Sequence, residues 1–292
     1  MNFVIGLAIA LTSLLGGYAA LGGHLGVIWQ PWEFVIIGGS ALGTFIIANP
    51  MVTVKDTGRA AMQAIMGGSP KQKDYLQVLG LLYALMRELR GKSRSEAEAH
   101  IDNPKESEVF KRFDKVLADK QLTDFICDYA RLIIIGNARP HEIEALMDEE
   151  IQTHARDQLK PYYALSSVAE CLPALGIVAA VLGVIKAMGA LDQSPDLLGH
   201  LIGAALVGTF AGIFLSYGIV GPLANKVKVV REKRCRMLVV VKQAFLAFMN
   251  GAMPQIALEH GRKTISAYDR PSIDEVESAT LAGGEPAQAM AA

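Results

Sequence analysis

Residues 170–226 read ECLPALGIVAAVLGVIKAMGALDQSPDLLGHLIGAALVGTFAGIFLSYGIVGPLANK, and this stretch decides the fold. From Glu170 to Asp192 the only interrupting charge is Lys186. From Asp196 to Lys226 the only interruption is His200. A hydrocarbon core takes about 20 apolar residues in helical form, and each run supplies them. Nearer the N-terminus, Asn2–Gly23 carries no charge, and Glu33 and Lys55 enclose a further uncharged stretch. The sequence thus predicts an all-α membrane protein with four transmembrane helices and a large helical domain between the second and third. A cleaved signal peptide is the competing reading of the first segment. Against it, no basic region opens the chain and a second apolar segment comes almost at once.

Composition fits two kinds of segment. The chain has 292 residues, 51% hydrophobic and 20% charged, with a mean hydropathy of +0.30. Such an apolar average beside so many charges points to very apolar spans alternating with charge-rich parts. A net charge of -1 gives no basic excess that would suggest nucleic acid. Cys127, Cys171 and Cys235 are far apart and lack CxxC spacing, so they read as reduced thiols. Every Lys and Arg except Lys186 lies in the 55–165 segment or beyond Asn225. The positive-inside rule then places both termini and the middle segment in the cytoplasm. Trp29 and Trp32 fall at the outer boundary, where aromatic anchors belong, although ordinary loop packing explains them equally.

The chain divides into residues 1–54 (spans one and two), 55–165 (cytoplasmic helical domain), 166–225 (spans three and four), 226–270 (cytoplasmic helix) and a Ser-, Gly-, Ala- and Glu-rich tail, 271–292, expected to be disordered. Breaks are expected at Gly67-Gly68-Ser69-Pro70, Asn103-Pro104 and Gly136-Asn137. Tyr75–Met86 is nearly all apolar and reads as a buried helix. It ends in Arg87, Glu88, Arg90, Lys92 and Arg94, followed by Glu96 and Glu98; by itself this run reads first as a solvated face. Pro140 suits a helix start, and Glu142, Glu144, Asp148, Glu149 and Glu150 favour that helix's positive end. The same helix is expected to continue unbroken into the third span. Glu150 and His154 are four apart but lack a third ligand, so no metal site is expected.

Within the spans, small residues recur at four-residue spacing: Gly39/Gly43, Ala179/Gly183/Ala187 and Ala204/Gly208/Gly212. Such rows let helix backbones approach closely, within one subunit or between subunits. Pro173 and Gly221-Pro222 sit near the cytoplasmic ends of spans three and four, as hinges or as ordinary helix punctuation. An ion conductor or proton relay needs a titratable or coordinating group near mid-membrane. The four stretches are expected to offer none, with Glu170 at a cytoplasmic helix start and Glu33 at a border, so a working carboxylate has to come from a partner. Thr209 is the best resident polar group to face it, unless its hydroxyl bonds back to its own helix.

The runs QPWEFVIIGG, NPKESEVF, HEIEALMDEEIQTH, CLPALGIVAAVLGV, ALVGTFAGIFLSYG and GRKTISAYDRPS together resemble the MotA family, the larger stator subunits of bacterial flagellar motors, over nearly the whole chain. The resemblance implies a bacterial inner-membrane protein that forms a ring of five copies around a MotB-like single-span partner with a transmembrane Asp. It also implies that ion flow drives torque on the rotor protein FliG. By the same resemblance Arg90 and Glu98 meet complementary charges on the rotor. Pro173, Ala180, Thr209, Tyr217 and Pro222 line or flank the ion path, with Glu150 and Glu170 as secondary candidates. Sodium-driven relatives tend to carry threonine where this chain has Ala180, and a methyl group cannot coordinate sodium, so the translocated ion is expected to be H+, with no cofactor. Lys186 departs from the family pattern. The alternative is a TolQ- or ExbB-like energiser of envelope transport; a structural scaffold without ion flux is a third. No nucleotide loop, G-x-S-x-G or catalytic pair supports an enzyme.

Overall fold

The computed structural model describes residues 2–91, 93–136 and 139–281. Lys92 of the basic run, Asn137 of the third expected break and tail residues 282–292 lie outside these. In chain order the helices are α1 (Asn2–Ala20), α2 (Leu25–Ile28), α3 (Pro31–Ala48), α4 (Met51–Met66), α5 (Gln72–Gly91) and α6 (Arg94–Asp102). After a 3₁₀ turn at Phe110–Arg112 come α7 (Asp114–Ala118), α8 (Lys120–Ile135), α9 (Pro140–Met188) and α10 (Pro195–Phe214). A π-helical turn, Leu215–Val220, leads into α11 (Gly221–Met249), α12 (Pro254–Lys263) and α13 (Ile273–Leu281). No strand occurs among the described residues. Four helices, α1, α2–α3, α9 and α10–α11, are long and apolar enough to cross a membrane, as the sequence predicts.

The chain forms two units, the first comprising residues 1–68 and 158–230. Its core joins Ile37 and Ala41 of α3 to Leu172 and Ala179 of α9 and Ala211 of α10. A second cluster packs Ala60 and Ala64 of α4 on Val227 and Val230 of α11. The expected break after α4 occurs at Gly67, whose φ of 84° only glycine adopts cheaply and whose N–H closes on the Gln63 carbonyl. Many outward-facing side chains in this unit are apolar, Ile9, Ile47, Val35 and Leu206 among them. Such a surface suits lipid or partner helices and not water.

The second unit comprises residues 69–157 and 231–292. Its core is built on α5, where Tyr75, Val78, Leu79, Leu81, Leu82, Leu85 and Met86 are buried against Phe110, Phe125, Ile126, Met147, Val241 and Phe245. Each fully buried Leu or Phe contributes about 1.5–3 kcal/mol, so the apolar run on α5 organises this unit. Gly80 is needed there, because a Cβ would lie 2.6 Å from the Phe113 ring. Helix α9 is continuous for 49 residues despite Pro161 and Pro173 within it.

The expected disordered tail gives way, over residues 273–281, to helix α13. Arg262 anchors the approach to it: Nη1 donates to the Pro271 carbonyl at 2.7 Å, while Nε and Nη2 grip the Glu259 carboxylate at 2.6 Å each. Ser272 then caps the helix, its Oγ accepting from the Glu275 N–H at 3.1 Å. Lys186, an intrusion by composition, lies in the last turn of α9, where a cation meets the unsatisfied carbonyls of a helix C-terminus.

Candidate functional site

The seam between α9 and α10 is made largely of backbone. A Cβ on Gly176 would sit 2.9 Å from the Gly208 carbonyl oxygen and 3.0 Å from the Gly212 Cα; one on Gly212 would sit 2.6 Å from the Leu172 carbonyl oxygen. Gly183 is similarly closed off by Ala205, at 2.7 Å. The α9 and α10 small-residue rows therefore meet each other, with Gly176 as a member that the four-residue spacing alone misses. Gly39 and Gly43 of α3 have open space around them.

Ala180 and Thr209 border this seam. The Ala180 nitrogen lies 3.3 Å from where a Gly208 Cβ would be, and Thr209 is the next residue of α10; both are half-buried. Thr44 and Thr57 bond back to the carbonyls of Ala41 and Thr53. No such bond is formed by the Thr209 hydroxyl among the described residues, which removes its simplest structural role.

The Motility protein A N-terminal model matches residues 4–93, and the MotA/TolQ/ExbB proton channel family model matches residues 108–238. Motility protein A of Salmonella typhimurium is 43% identical over 288 residues, covering 99% of this chain and 98% of its own. This chain belongs to the Motility protein A family. Chemotaxis protein LafT of Vibrio parahaemolyticus is 35% identical over 277 residues, 95% of this chain and 97% of that protein. The solved structure of C. jejuni MotAB has a TM-score of 0.75 at 20% identity, covering 93% of this chain and 98% of that one, which establishes a shared fold.

Against the family's charged positions, Arg90 is exposed in the last turn of α5, where its cation complements the helix end, and its guanidinium contacts the Met253 sulfur. Glu98, on α6, pairs with Arg94 at 3.2 Å and not with Arg90. Both partners of that pair are substantially exposed, so the pair stabilises little and leaves the charges accessible. Ser93 starts α6 with a capping box, its Oγ and N–H both meeting Glu96.

The remaining positions separate. Pro173 lies inside α9, Tyr217 is 75% exposed on the π turn, and Pro222 is exposed at the start of α11. Glu170 is exposed on α9. Glu150 accepts the Tyr129 hydroxyl at 2.7 Å, and His154 is engaged by Gln121. Burial holds the His154 imidazole below its usual pKa. No group of three metal-ligating side chains occurs among the described residues.

Two features were not legible. Glu33, taken from the sequence as a border residue, lies in the first turn of α3 inside the candidate span Leu25–Ala48. Its Oε2 is buried without a hydrogen-bond partner, 3.0 Å from where a Gly208 Cβ would be. The second feature is Ser216, whose hydroxyl donates to the Ala169 carbonyl at 2.6 Å from the buried side of the π turn.

Proposed function

We propose that this chain is a flagellar stator subunit that forms a transmembrane cation channel with a single-span partner and transmits work to the rotor through its charged unit. The observation that carries the reading is the free Thr209 hydroxyl beside the backbone-tight Gly176–Gly208–Gly212 seam, in a span whose outward faces are apolar. A polar group with no internal bond at membrane depth is costly unless a partner answers it. The partner chemistry that fits is a transmembrane carboxylate, and the pairing of MotA with MotB in the solved C. jejuni and B. subtilis complexes supports it.

On this reading the chain sits in the bacterial inner membrane with both termini and the charged unit in the cytoplasm, and several copies, five by family resemblance, ring the partner. The exclusion of Lys and Arg from everything before Val54 supports that orientation. Proton coupling is favoured by Ala180, which offers no oxygen for sodium. Arg90 and Glu98 form the rotor-facing pair. The test is a strain lacking this chain, complemented with wild type or with the double reversal Arg90→Glu/Glu98→Lys. Wild type should restore swimming while the reversal should not, with envelope integrity equal in both. A strain that swims without the chain but leaks periplasmic contents would refute the stator reading in favour of a TolQ-like role.

A further inference from the structure

Proline has no N–H, so Pro173 leaves the carbonyl four residues earlier, that of Ala169, without its α-helical donor. Buried away from water, an unanswered carbonyl is strongly disfavoured. The Ala169 carbonyl is nevertheless satisfied. The donor is the Ser216 hydroxyl, 2.6 Å away and 47 residues distant in the chain. Ser216 is 2% exposed and Ala169 8%, so the bond is closed off from solvent.

Three local features bring the hydroxyl there. Gly212, one turn before Ser216, lets α10 approach α9 so closely that a Cβ would be 2.6 Å from the Leu172 carbonyl. The π turn beginning at Leu215 widens the helix at Ser216. Ser216 is small enough to point into the resulting gap. Leu172 and Ala169 thus face Gly212 and Ser216 as one contact.

We propose that Ser216 is a positioning residue, a hydroxyl latch that takes the place of the amide missing at Pro173 and holds α9 to the π turn. With the latch closed, α9 passes the proline with its carbonyl satisfied. With the latch open, the carbonyl at residue 169 is freed and α9 can bend at Pro173. The channel role of this motion rests on the function proposed above; the latch itself does not.

A double-mutant cycle tests it on the full-length chain in complex with its single-span partner: wild type, Ser216→Ala, Pro173→Ala and the double variant. Pro173→Ala restores an N–H to its own helix, so the carbonyl no longer needs Ser216. The expected result is that Ser216→Ala lowers the detergent-solubilised melting midpoint by about 3–6 °C when Pro173 is intact and by less than about 1 °C when it is combined with Pro173→Ala. Equal drops in both backgrounds, or none in either, overturn the latch. Cation flux at matched membrane levels is the second readout, one that simple packing would not move: Ser216→Ala should change flux per complex about threefold or more. Unchanged flux in that variant overturns the positioning role while leaving the bond. Absence of flux in the wild type overturns the channel reading, and the melting cycle still judges the latch.

Discussion

Replacing Gly212 with alanine should separate α9 from α10, and the cost can be worked from the contact. The added Cβ would lie 2.6 Å from the Leu172 carbonyl oxygen, 2.8 Å from the Gly176 Cα and 3.1 Å from the Gly176 nitrogen. An ordinary C···O contact is about 3.3–3.6 Å, so the axes must part by roughly 0.7–1 Å. All three obstructing atoms are backbone, and no rotamer change relieves them. Overpacking of this kind costs about 1–3 kcal/mol, with dispersion lost along the whole seam as the helices part. For a unit of this size about 2 kcal/mol corresponds to ~4–8 °C in melting midpoint. The control is Gly199→Ala, in the same helix but with open space around it. There alanine removes backbone freedom from the unfolded chain and should stabilise by up to about 1 kcal/mol. The assay is thermal unfolding of both variants in one detergent, followed by circular dichroism. If both substitutions shift the midpoint the same way by similar amounts, close backbone contact is not what holds these helices.

The second unit offers three further tests. Lys242, with its side chain only 8% exposed, holds Asp148 at 2.7 Å and Glu144 at 3.4 Å; Asp148→Asn should cost about 1–3 kcal/mol by urea titration, whereas Lys242→Met, which removes the buried charge and leaves only half-exposed carboxylates for water to solvate, should cost less. Arg262→Lys cannot grip Glu259 with two nitrogens and also reach the Pro271 carbonyl, so residues 264–281 should be cut by trypsin at least severalfold faster than in wild type. Burial first, with the Asp128 carboxylate adding, pushes the Cys127 thiol up to about 12. Burial likewise pushes the Tyr75 phenol, whose hydroxyl donates to the Lys233 carbonyl, to about 12. Both groups are held neutral by the fold, so their contribution is whole below about pH 9 and is lost as pH rises from about 9 through 12. Unfolding at pH 8 and pH 11 should show that loss, and the Cys127→Ala/Tyr75→Phe variant should lose less; an identical loss in the variant would refute the assignment.

The spans and the buried helix α5 were legible because hydropathy and helical periodicity report burial directly. So was the continuity of α9 into the third span, since neither Pro161 nor Pro173 carries flanking turn residues. The small-residue rows were ambiguous in a way composition cannot resolve: Gly39 and Gly212 look alike in sequence, yet one faces open space and the other another backbone. Helix α13 was missed because Pro271 and the polar run after it resemble a loop, while the tether that orders the approach, Arg262, comes from helix α12. Glu33 reads as a border because a charge usually ends a span; that its Oε2 is buried without a partner beside Gly208 comes from helix packing, which composition does not report. Ser216 carries no composition signal at all. It becomes visible only when one asks where the carbonyl freed by Pro173 finds its donor.

The π turn at Leu215–Val220 also fixes a phase. A π turn holds one more residue than the α turn it replaces, so it amounts to a one-residue insertion tolerated inside a helix. The turn absorbs that residue, so removing one from it restores the ordinary pitch of about 3.6 residues per turn and keeps the phase of the residues that follow. Val227 and Val230, buried against Ala60 and Ala64 of α4, would keep that packing, whereas a deletion between Gly221 and Val227, where no extra residue is stored, would rotate them by about 100°. Length is therefore more forgiving in this turn than in the α-helix after it, and what a deletion here removes is the wide turn that carries Ser216 to the Ala169 carbonyl.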